Sequence, residues 1–181
     1  MNTTLLQDTF LYFAKYPAHL GVMKFFNKNS ADPAYVALKE SCQVLPVKDK
    51  FPEITDYIFG VNETSVKRKI ESIKGIYLFV DYGNINSAED IRNVKHDTFH
   101  MAVTVAQPTS SSSFDLAEEL VISDKLLTII SSIRNEMRQD KEDPFVRRII
   151  FPNDITPFFA RELSNSYGWT LMFQLKGVDL V

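Results

Sequence analysis

Residues 75–85, GIYLFVDYGNI, admit few backbone conformations, because apolar side chains occupy both faces of an alternating run. Ile76, Leu78 and Val80 fall on one side and Tyr77 and Phe79 on the other, so the segment reads as a central strand covered on both faces. Its expected partner is 98–107, TFHMAVTVAQ. There Phe99, Met101, Val103 and Val105 alternate with His100, Ala102, Thr104 and Ala106, as on a strand with one wetter face. The other elements are read as additions to this pair.

Residues 1–74 read as helical and turn-rich. Thr3 or Thr4 can cap a helix in which Leu6, Phe10 and Phe13 recur at helical spacing, and a short apolar stretch, 20–26, follows. Asp32-Pro33 opens another helix over 34–42: the carboxylate accepts free N–H groups, and proline needs none at the first position. Ile54, Tyr57 and Ile58 read as one more helical turn, and Val66, Ile70 and Ile73 as a short amphipathic helix ended by Gly75.

Beyond the first strand, 81–97 is long for a hairpin and is expected to carry a helical turn near 88–92; the tract PTSSSS is a flexible loop. Residues 123–140 form the longest helix, capped by Ser123 and striped by Leu126, Ile129, Ile130, Ile133 and Met137. FVRRIIF, 145–151, reads as a strand with Arg147 and Arg148 on opposite faces, which suits an edge or interface. Thr156-Pro157 opens a short helix with Phe159 and Leu163, and 169–176 is the last strand, with Trp169, Leu171, Phe173 and Leu175 inward. The hydrophobic ending, 178–181, is expected to dock on the body or on a neighbouring copy. The expected fold is one α+β domain: two layers, with a mixed, mostly antiparallel sheet of about four strands covered by one long helix. The helical segment 1–74 precedes the α+β body, 75–181.

Charge narrows the function. The net charge of −3 is spread along the chain, with no basic stripe for nucleic acid and no polybasic membrane segment, so neither is an expected partner. The start of the chain lacks a secretory pattern and no run is long enough to span a bilayer, which points to the cytoplasm. The single cysteine, Cys42, stands among Leu38, Val44 and Leu45 as a buried small hydrophobe. The 14 Phe and 7 Tyr belong to a core, or in part to a subunit interface.

His96 and His100, four apart with Asp97 between them, have the spacing that on a helix would present two ligands to one metal. On a strand the same spacing sets them roughly 13 Å apart, and they read as polar strand-face residues. FVDYGNI resembles the first-strand signature of the NYN branch of PIN-like ribonucleases. The resemblance implies a metal-binding carboxylate at Asp81 supported by Asn84, with a divalent cation activating water against a phosphodiester. That family's further acids belong at later strand ends; here Glu118, Glu119 and Asp124 lie near the serine loop and the start of the long helix.

The order of strands, loop and covering helix from 75 to 181 is similar to that of small tail or head-to-tail joining proteins of phages and prophages. That likeness implies a non-catalytic subunit that assembles into rings. The leading expectation is therefore a structural or protein-interaction protein that self-associates and needs no cofactor, with Arg147, Arg148 and Trp169 as interface candidates. A metal-dependent ribonuclease using Asp81 is the alternative, and a small-ligand module with an aromatic pocket the second alternative.

Overall fold

The computed structural model describes residues 4–45, 50–89, 95–109 and 115–177. The helices are α1 (Leu5–Ala14), α2 (His19–Met23), α3 (Pro33–Gln43), α4 (Glu63–Glu71) and α5 (Leu116–Gln139). The strands are β1 (Ile54–Phe59), β2 (Ile76–Glu89), β3 (Lys95–Gln107), β4 (Ile149–Ala160) and β5 (Ser166–Gly177). They form one sheet in the order β1-β2-β3-β5-β4, parallel between β1 and β2 and antiparallel elsewhere.

The expected pair is the spine of this sheet: Leu78 lies opposite Val105 and Val80 opposite Val103. One face carries the main core. Leu78, Val80, Phe99, Met101, Val103 and Leu171 pack there under the α5 stripe and under α1, whose Phe10 and Phe13 are buried. The rings cluster internally: Phe10 lies 5.1 Å from Tyr57 and Phe13 5.9 Å from Phe173, so this part of the aromatic content builds the core. The opposite face has a smaller core in which α4 places Val66 and Ile70 over Ile58, Tyr77 and Ala106. Double coverage of β2 is thus confined to its first half; residues 83–89 are exposed.

Local chemistry accounts for the helix starts. Thr4 and Gln7 close a reciprocal capping box on α1, the Asp32 carboxylate accepts from Ala34 and Tyr35 at the start of α3, and the Asn62 side chain accepts from Ser65 on α4. Cys42 is fully buried, and burial pushes its thiol up to about 12.

Several expectations are corrected. Among the described residues the sheet has five strands where about four are expected: 54–59 is the edge strand β1, paired in parallel with β2, so the segment 1–74 is not wholly helical. Its Ile54–Tyr57–Ile58 spacing satisfies a helix, but the backbone bonds go to β2 and the alternate side chains enter two different cores. The covering layer is α5 together with α1, not α5 alone. The long helix begins at Leu116 with Asp115 as its cap, well before Ser123. Residues 146–148 form a 3₁₀ turn, and the strand runs from 149 through 160, across the site of the expected Thr156-Pro157 helix. Strand β2 continues to Glu89, so position 88 is extended. Residues 90–92 of the expected helical turn, most of the serine tract and the ending 178–181 lie outside the described residues.

Candidate functional site

Strand alternation puts Asp81 on the same sheet face as Tyr77 and Phe79, beyond the edge of the α4 cover. Asp81 lies opposite Ala102, which pairs with Met172, which pairs with Asp154 on β4. These residues floor an open cleft of about 470 Å³ that His100, Gln174 and Ile150 also line. Partial burial disfavours the charged form of Asp81 and moves its carboxyl above the ordinary range, against the lowering effect of a backbone hydrogen bond at Tyr82. Asp81 and Asp154 are three strand spacings apart, roughly 14 Å, too far for one cation to bridge.

Polar contacts cross the cleft's far end. Asn84 Nδ2 donates to Asn86 Oδ1 at 2.7 Å, Asn86 Nδ2 lies 3.2 Å from His100 Nε2, and Gln174 Nε2 lies 3.4 Å from His100 Nδ1. A neutral imidazole accepts at one nitrogen and donates at the other. Both amides turn a nitrogen toward the ring, and a neutral imidazole, with one acceptor nitrogen, accepts from one of them. Asn84 therefore orients an amide–imidazole chain rather than Asp81. His96 and His100 are not brought together: both lie on β3, four residues apart along extended backbone. Among the described residues no group of three or more His, Cys, Asp or Glu side chains is placed to hold a metal ion.

The interface candidates go to different places. Arg147 and Arg148 sit in the 3₁₀ turn rather than on opposite faces of a strand, and both are exposed. Arg147 donates to the Glu142 carboxylate at 2.7 Å and to the Lys141 carbonyl at 3.2 Å. Beside this turn, at the end of α5, is an open concavity of about 700 Å³ lined by Arg138, Lys141, Val146, Arg147, Ile149 and Phe151. Trp169 is half-buried; its indole N–H reaches the Ser123 carbonyl at 3.0 Å and the Ser123 hydroxyl at 3.2 Å, which ties β5 to α5.

One feature of this surface was missed from sequence. Every residue from 115 to 121 is exposed, with Leu116 at 81%, Leu120 at 70% and Val121 at 69%. The first turns of α5 carry an exposed apolar face, while the buried stripe begins at Leu126. Following the helical period back from Leu126 to the capping residue Asp115 reveals it. Comparison with known proteins returns no match: no protein family, no curated protein and no solved structure is similar enough to be counted.

Proposed function

We propose that the protein is a non-catalytic subunit that works by contact with protein, including further copies of itself. The observation that carries this reading is the start of α5, where three large apolar side chains stand exposed on successive turns of a helix. Two helical turns in water gain little from their own hydrogen bonds, and exposed apolar area of this kind is stabilised by a covering surface. The exposed far half of β2 and the exposed Phe159 on the edge strand β4 add contact area elsewhere. The cleft at Asp81 does not favour the nuclease alternative, since its second carboxylate lies three strands away.

Light scattering behind size exclusion, over a wide concentration range, tests the reading. A mass that climbs above the 20.7 kDa of one chain is the expected result. A strict monomer throughout would overturn self-association.

A further inference from the structure

The start of α5 carries acids beside exposed apolar side chains, and its end borders a concavity lined by basic side chains. At its start, Asp115, Glu118 and Glu119 flank Leu116, Leu120 and Val121. At its end, Arg138, Lys141 and Arg147 line a concavity with the partly exposed Phe151 and the largely buried Val146 and Ile149, and no acidic residue is in its lining. Of the acids nearest that end, Asp140 pairs with Lys15 and Tyr12, Glu136 pairs with Lys50, Asp143 accepts from the Phe145 N–H, and Glu142 pairs with Arg147 itself, so Arg138 and Lys141 carry most of the basic character of the rim. The geometry points to a head-to-tail contact in which the start of α5 in one copy seats in the basic concavity at the end of α5 in the next.

This deepens the self-association reading and rests on it. The 24 residues of α5 separate the two surfaces by roughly 36 Å, so they cannot be one self-complementary patch. A contact between the two patches either closes as a two-fold pair with antiparallel α5 helices, each start on the other's end, or is heterologous and propagates into a ring or a filament according to the rotation per subunit. Leu116, Leu120, Val121 and Phe151 supply the apolar area to be buried, and the acidic and basic rims set orientation and exclude start-to-start pairing, which would oppose like charges. A second copy is the occupant these features favour, because both halves of the contact are present on one chain.

Charge reversal with mixing tests it. Glu118, Glu119, Arg138 and Arg147 are all exposed, so E118R/E119R and R138E/R147E should fold as the parent does, which circular dichroism checks. Each double variant alone should associate on the order of 10- to 100-fold more weakly than the parent, because each now opposes like charges. An equal mixture of the two should recover assembly, because the basic start of one variant meets the acidic concavity of the other and the unaltered ends still match. If the parent assembles and both variants assemble as it does, the contact lies on another surface: the head-to-tail proposal falls while self-association stands. Assembly of R138E/R147E alone at the parent's strength, with E118R/E119R weakened, would show that the basic concavity takes no part and overturn the proposal. A parent that stays monomeric overturns both and leaves the apolar start of α5 to a different protein.

Discussion

At Gly168 a methyl group has nowhere to go. A Cβ there would lie 2.0 Å from the Val105 carbonyl oxygen and 2.7 Å from the Ala106 Cα, both backbone atoms of the neighbouring strand. The glycine sits inside β5, opposite Ala106 on one side and Phe158 on the other, so β3 or β5 would have to move. Gly168→Ala is expected to cost about 2–3 kcal/mol in denaturant unfolding without changing the fold. A loss below about 0.5 kcal/mol would show that the strands separate easily there. The sequence marks this glycine only as a strand entry; the close backbone approach that requires it depends on β3, sixty residues earlier.

Asp81 gives a second prediction at this scale. Its carboxyl is raised by burial, so the folded state favours the protonated form. The associated stability is therefore fully present below the unfolded pKa and is lost as pH rises through the folded value. Asp81→Asn removes a charge that is costly at neutral pH. It should stabilise the protein slightly at pH 7, by no more than about 1 kcal/mol at so open a site, with the gain vanishing in acid. Thermal melts at the two pH values measure this. Loss of a metal-dependent RNA cleavage activity in the same variant would reinstate the catalytic alternative.

At the scale of elements, α1 is held to the end of α5 by a polar cluster as well as by its rings. Lys15 pairs with the Asp140 carboxylate, Tyr12 donates to it at 3.0 Å, and the Lys15 ammonium stands 3.7 Å from the centre of the Tyr12 ring. Burial works against the Asp140 charge, but Lys15 and Tyr12 outweigh it and hold the carboxyl below its usual range. A depressed acid contributes stability above its unfolded pKa and loses it as pH falls through the folded value. Asp140→Asn should therefore cost about 1 kcal/mol or less at neutral pH, since the pair is partly exposed, and nothing well below pH 3. Equal losses at both pH values would mean that the side chain acts by packing rather than by charge. The apolar periods of α4 and of the buried part of α5 are legible in sequence, because 3.6-residue spacing over several turns matches no strand. Short runs are not: ITDYIF satisfies both periods, and Thr-Pro begins a helix as readily as it occupies an edge strand, where a missing N–H is tolerated.

For the whole molecule, the asymmetry of the sheet decides what remains available for contact. One face is sealed by α1 and α5 and the other only in part by α4, leaving the cleft over Asp81 and His100 open. The first two turns of α5 leave Leu116, Leu120 and Val121 exposed instead of completing the core. No described helix is long and apolar enough to cross a membrane.

Sequence alone determined the spine of the sheet, the alternate faces of β2 and β3, the cap at Asp32, a first cap narrowed to Thr3 or Thr4, the apolar stripe of α5 and the burial of Cys42. Each of these depends on the order of neighbouring side chains and on hydrogen bonds that close within a few residues. The strand identity of 54–59, the extension of β4 through Pro157, the neighbourhood of Asp81 and the exposure of Leu116, Leu120 and Val121 were decided only by the tertiary structure. Pairing partners and covering layers lie tens of residues away in the chain, and a backbone N–H or an apolar side chain carries no mark of which distant surface will satisfy it.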